Sequence, residues 1–267
     1  MRRRARARVA WSTGLAAVTA VVAAGVWAVG ASAAAPTTTF PTAKGSQTVT
    51  STIKVSGTYD GGLKRFVASG LGSGGQSESQ KPVFDVANGG TVQNVIIGAP
   101  GVDGIHCEGT CTLHNVWWED VGEDAATLVG TAPSGSVMTI DGGGAKAASD
   151  KVFQHNGPGT MVIKNFYVSG FGKLYRACGN CKKGYQGKRT VVVQNVTLQG
   201  GTTAVVGINS NYGDSATLSG VQIVGDPNHK LTICQRYQGN NSGAEPTKTG
   251  SGPGSGCNYS TSSISYK

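Results

Sequence analysis

The chain has 267 residues with 42 glycines, 23 Lys+Arg against 14 Asp+Glu, and a formal net charge of +9. Such abundant glycine with scarce helix signals argues against a helical protein. The five arginines among residues 1–35 have no acidic counterpart, so the rest of the chain carries +4. That mild basicity suits an anionic partner and does not by itself argue for nucleic acid.

Residues 1–35 open with Arg2, Arg3, Arg4, Arg6 and Arg8, continue through an uncharged apolar run to Val29, and end in Ala31, Ser32, Ala33, Ala34 and Ala35. A basic start, an apolar stretch and a small-residue cleavage pattern predict a secretory signal rather than a membrane anchor. The expected product is secreted, with no membrane association after signal removal. Residues 36–47 read as a short linker and 48–267 as one domain.

Within that domain, short β-branched runs alternate with Gly, Asn, Asp and Ser, and no segment sustains a 3.6 period. A weak repeat emerges from TVQNVII, TLHNVWW, MTIDGGG, MVIKNFYV, VVVQNVTL and TLSGVQIV. Its pivots are Asn94, Asn115, Gly142, Asn165, Asn195 and Gly220, spaced 21, 27, 23, 30 and 25 residues apart. Such spacing means stacked units of two or three short strands. The predicted fold is all-β: a right-handed, single-stranded parallel β-helix, in preference to an irregular sandwich. From the 240s onward the chain reads as a loop-rich tail tied down through Cys257. Six cysteines behind an export signal predict disulfides. Local pairing is plausible and the connectivity stays open; the rival is a zinc site built from Cys107, Cys111, Cys178 and Cys181.

Stacking brings equivalent positions of successive coils about 4.8 Å apart. Nine residues beyond the pivots stand Asp103, Asp124 (preceded by Glu123) and Lys151, and the next coil offers Lys173 and Arg176 at eight and eleven residues. One face thus grades from anionic to cationic. Three converging carboxylates repel one another unless a hard cation joins them, and oxygen ligands select calcium. A substrate uronate carboxylate on that calcium would acidify its C5 proton. Arginine rarely deprotonates, so Lys151 is the expected base and Arg176 a carboxylate clamp. Lys173 either lowers the Lys151 pKa by like charge or contacts substrate. Lys146 falls five residues out of phase. His106 and His155 read as polar core or turn residues. Trp117 and Trp118 point to opposite faces, one into the core and the other available to stack on a sugar.

The segments GVDGIHCEGTCTLHNVWWEDVGEDAATL, GGGAKAASDKVFQHNGPGT, FGKLYRACGNC, VVGINSNYGD and GAEPTKTGSGP together resemble the small secreted pectate lyases of polysaccharide lyase family 3. The likeness runs from SGTYDGGLKRF to Cys257. It implies a parallel β-helix and calcium-dependent β-elimination of polygalacturonate (pectate or pectin) at alkaline pH, giving 4,5-unsaturated products. It also implies Asp103, Glu123 and Asp124 as calcium ligands, Lys151 as the catalytic lysine, Lys173 and Arg176 as basic substrate residues, and Glu78 of GGQSESQKPVF as a substrate-binding acid. Asp150 is a further candidate to approach calcium. The expected enzyme is a monomer with no nucleic-acid partner. Two competitors come from other classes: a glycoside hydrolase, which needs a carboxylate pair, and a non-catalytic pectin-binding solenoid, which would tolerate loss of Lys151.

Overall fold

The computed structural model describes Met1 and residues 34–267; the expected signal over 1–35 lies almost entirely outside the described residues. Residues 34–267 form a right-handed parallel β-helix. Its longest stack runs Ser46–Val49, Thr58–Ala68, Gly90–Ile97, Cys111–Trp118, Val137–His155, Gly159–Ala177, Arg189–Asn209, Ser215–Val224 and Cys257–Asn258. A second stack runs Ile53–Val55, Phe84–Val86, Ile105–Cys107 and Ala126–Leu128, then joins the far end of Val137–His155. One antiparallel pairing, Thr232–Gln238 with Thr247–Ser251, departs from the pattern near the C-terminal end. Among the described residues no helix is long and apolar enough to cross a membrane.

All six predicted pivots adopt the left-handed conformation: Asn94 (φ 53°), Asn115 (52°), Gly142 (75°), Asn165 (55°), Asn195 (49°) and Gly220 (59°). Asparagine and glycine tolerate this region best, which is why they mark the corners where each strand turns between faces. The corner amides also bond along the stack. Asn115 donates to Asn94 at 2.8 Å and Asn195 to Asn165 at 2.8 Å. Gly142 has no side chain to continue the ladder, and Asp141 beside it accepts from Asn165 at 2.7 Å instead.

Inward positions stack into apolar columns. Val92, Leu113, Ile140, Ile163, Val193 and Leu218 lie in register, and all are buried. A parallel column runs Ile97, Trp118, Ala145, Val168, Leu198, Ile223. Within it the small Ala145 follows the large Trp118, whose ring meets Phe153 and Phe166 edge-on. Interdigitation of large and small residues is what close packing requires.

Three disulfides pair locally: Cys107–Cys111, Cys178–Cys181 and Cys234–Cys257. The zinc alternative therefore falls, since its four cysteines are consumed in two bonds. Cys234–Cys257 fastens the loop-rich tail, as expected. Residues 36–47 do more than link. Phe40 packs edge-on against Trp117 with 4.8 Å between ring centroids, and Lys146 sits 3.8 Å over the Phe40 ring. Trp117 is thereby covered and buried, so the sugar-stacking expectation for it is corrected. The same contact holds Lys146 on a face away from the graded strip.

Candidate active site

The strip follows from strand register. Ile105 pairs with Ala126, Ala126 with Phe153, and Phe153 with Tyr175. Two residues before each stand Asp103, Asp124, Lys151 and Lys173, and Lys151 is itself paired with Lys173. Glycines let these coils close up. A Cβ on Gly104 (φ 47°) would lie 2.0 Å from the Ala125 carbonyl oxygen, and one on Gly122 would lie 2.2 Å from that of Val102. No other residue fits at either place.

Asp103, Glu123 and Asp124 are 8%, 5% and 2% exposed. Each offers an oxygen, and the three oxygens lie within 4.8 Å of one another. Oδ1 of Asp103 and Oδ1 of Asp124 are buried and accept no hydrogen bond. Burial and the neighbouring charges of Glu123 and Asp103 hold the Asp124 carboxyl well above the usual carboxylate range. Unpartnered buried oxygens on an all-oxygen donor set fit a hard divalent cation, which would fill the vacant acceptor positions and offset the repulsion.

Lys151 caps this cluster. Its Nζ donates to Glu123 Oε1 at 3.0 Å, lies 3.5 Å from Asp124 Oδ1, and donates to Asp150 Oδ2 at 3.2 Å. Burial disfavours its charge, but the charges of Asp124, Glu123 and Asp150 outweigh burial and raise its pKa. Lys173 donates to Asp150 Oδ1 at 2.5 Å. Asp150 thus stands between the two lysines and screens the like-charge effect expected of Lys173. Burial would raise the Asp150 pKa, but bonds and charge from Lys173 and Lys151 pull it below its ordinary value.

Arg176 is not in the lysine register. It pairs with Gln154 on one side and Gly207 on the other, in the adjoining outward column that also holds His106 and Thr127. Both columns open on one cleft. Its basic part is lined by Glu78, Asp150, Lys151, Lys173, Arg176 and Tyr237. Its acidic part shares Glu78 and Gln154 and adds Asp103, His106, Glu123 and Asp124. Glu78 reaches both from the loop before Phe84, which Gln76 ties to the Gly122 carbonyl at 2.5 Å. Partial burial and the charge of Glu123 raise the Glu78 pKa.

His106 is more than a turn residue. Its Nε2 lies 2.9 Å from Asp103 Oδ2. Burial works against its charged form, yet the bond to Asp103 raises its pKa. The alternation Ile105–His106–Cys107, buried on either side of the histidine, was the signal that it faces outward into the cleft. His155, by contrast, is a core residue as expected. It is fully buried, its Nδ1 lies 2.8 Å from the Tyr175 hydroxyl, and burial with the nearby Arg189 charge lowers its pKa to about 3.

Comparison with known proteins agrees with this geometry. A family model described as pectate lyase matches residues 37–244. The chain is 49% identical over 223 residues to a probable pectate lyase E of Aspergillus flavus, covering 82% of each protein. It is 49% identical over 224 residues to a pectate lyase E of Emericella nidulans, covering 83% of this chain and 84% of that one. Among solved structures, pectate lyase PelI of Erwinia chrysanthemi in complex with tetragalacturonic acid gives a TM-score of 0.70 at 36% identity, covering 82% of this chain and 70% of that one. The catalytic domain of the same lyase gives 0.70 at 35% identity, covering 83% of this chain and all of that domain.

Proposed function

Because the chain belongs to the pectate lyase family, we propose that it cleaves polygalacturonate by calcium-dependent β-elimination. Asp103, Glu123 and Asp124 hold the calcium, Lys151 is the base and Arg176 clamps a uronate carboxylate. The observation that carries this reading is the register alignment of Asp103, Asp124, Lys151 and Lys173, with Lys151 Nζ against Glu123 at 3.0 Å and Asp124 at 3.5 Å.

Asp103, Glu123 and Asp124 would hold a calcium ion, which would offset the carboxylate charges beside Lys151 and make the C5 proton of a bound uronate more acidic. Lys151, having given up its ammonium proton to solvent at alkaline pH, takes the C5 proton as the free amine. The freed electron pair forms the C4=C5 double bond, the C4–O bond breaks, and the departing oxygen takes a proton from water. Arg176 stays charged throughout and grips a carboxylate through paired N–H groups. Lys173, braced by Asp150, adds a second cationic contact to the polyanion. Glu78, with its raised pKa, retains a proton more readily than an ordinary carboxylate and can donate it to a sugar hydroxyl. His106 fixes the orientation of Asp103. Residues 1–35 serve as the export signal, so the secreted protein should begin shortly after Ala35 on N-terminal sequencing.

Replacing Lys151 tests the base. Lys151→Ala should lower kcat by about 10²–10⁴-fold, the usual worth of a positioned base, while polygalacturonate binding stays measurable. A variant retaining more than a tenth of the wild-type rate would remove Lys151 from the mechanism.

A further inference from the structure

Two of the groups that hold Arg176, the Ala177 carbonyl and Asn209, lie behind the cleft, and Tyr237 flanks it from the cleft wall. Its Nη1 donates to the Ala177 carbonyl oxygen at 2.7 Å and to Asn209 Oδ1 at 3.0 Å, which uses both Nη1 protons. Its Cζ lies 4.0 Å over the Tyr237 ring. Two glycines leave room for the side chain: a Cβ on Gly207 would come within 2.9 Å of Arg176 Cδ, and one on Gly179 within 2.4 Å of Nη2. What remains is the edge formed by Nε and Nη2, for which no protein acceptor is found among the described residues. That edge is the fork that takes a carboxylate through two parallel bonds.

Asn209 is fully buried, and its amide can stand only one way round. Nδ2 faces the carbonyl oxygens of Ala177 at 3.3 Å and Cys178 at 2.9 Å, together with Asp214 Oδ2 at 3.2 Å. Three acceptors around one end require the NH2 there, so Oδ1 must face Arg176. Asp214 is fixed in turn by the backbone N–H groups of Arg189 and Asn209, both at 2.8 Å. Asn209 also precedes the short 3-10 turn Ser210–Tyr212, yet its side chain makes no capping bond there. The turn therefore does not account for a buried amide at this place, and burying one is costly unless its bonds are used.

We propose that Asn209, oriented by Asp214, is a positioning residue that aims the free edge of Arg176 into the cleft. This rests on the clamp role given to Arg176 above. The two ideas separate in a double-mutant cycle, read as kcat/KM on polygalacturonate with calcium present. Asn209→Ala in the wild-type background should lower kcat/KM about 10–100-fold, the scale of a small misplacement of a binding group. In the Arg176→Lys background the same substitution should change kcat/KM by less than about 2-fold. The calcium half-saturation should be the same in all four proteins. Equal losses in both backgrounds, or a folded Asn209→Ala enzyme with wild-type kcat/KM, would overturn the positioning role and leave the clamp standing. An Arg176→Lys enzyme with wild-type activity would overturn the clamp, and the positioning role with it. If Asn209→Ala does not fold, Asp214→Asn enters the same cycle: it keeps the shape but removes the charge that orients the amide, and the same pattern of losses is expected and decisive.

Discussion

A single side chain sets much of the chemistry here. Lys151 meets three carboxylates where the acidic and basic parts of the cleft join, and two of them, Glu123 and Asp124, belong to the proposed calcium set. Asp124 is the most deeply buried of that set, so Asp124→Asn should weaken calcium dependence more than a change at a rim carboxylate. A calcium titration of activity should shift to about tenfold or more higher calcium, in line with losing one charged oxygen ligand; an unchanged titration would remove Asp124 from the ligand set. His155 carries a separate prediction for stability. Its folded pKa is lowered to about 3 from 6.5, so the unfolded chain binds the proton first as pH falls. Its stabilising contribution is complete above about pH 6.5 and is lost progressively down to about pH 3, at about 1.4 kcal/mol per unit. Denaturant unfolding in chelator at pH 8 and pH 5 should show an acid loss about 2 kcal/mol smaller in His155→Gln than in the wild type; equal losses would place the acid sensitivity elsewhere. The alignment of Asp103, Asp124 and Lys151 was legible in the sequence from coil phase, with Glu123 as the neighbour of Asp124; Lys173 stands one residue short of that phase and comes into register with Lys151 through an irregularity between Phe171 and Lys173. His106, Asp150 and Asn209 were not, since their roles come from contacts across coils that spacing does not specify.

Each coil depends on its corner. Asparagine and glycine at the pivots were readable as corners because few other residues adopt their backbone geometry. The length of the strands was not readable. Val137–His155, Gly159–Ala177 and Arg189–Asn209 run through their corners with most pairing preserved on both sides, so no turn residues announce a break. Nor did sequence show that residues 36–47 would lie on the solenoid, because the contacts that place them there are distant in sequence: Phe40 against Trp117 and Tyr167, the Lys44 N–H on the Leu63 carbonyl oxygen at 2.9 Å, and Ser46 and Gln47 in register with Arg65 and Phe66. The tightest corner is Gly142–Gly143. Gly143 has φ 96°, and a Cβ there would lie 1.9 Å from the Val116 carbonyl oxygen. Gly143→Ala should therefore cost more than about 3 kcal/mol, combining left-handed strain with a backbone clash, as read by thermal unfolding. A loss under about 1 kcal/mol would mean that the neighbouring coils can separate there.

Across the whole molecule, parallel stacking converts a linear order of acidic and basic residues into one cleft with a charged gradient along it. The C-terminal tail closes the last coils through Cys234–Cys257, a separation of 23 residues. Replacing both cysteines with serine should lower stability by about 3 kcal/mol, with the cleft chemistry unchanged; an unaltered melting temperature would mean that the tail contributes nothing to the fold. The central claim concerns the reaction. Purified protein lacking residues 1–35 should be mixed with polygalacturonate at alkaline pH, first with calcium and then with chelator, while following the ultraviolet absorbance of 4,5-unsaturated uronates alongside new reducing ends. Absorbance and reducing ends rising together with calcium, and both ceasing with chelator, are the predicted result. Reducing ends without the absorbance would mean hydrolysis and would contradict elimination by Lys151.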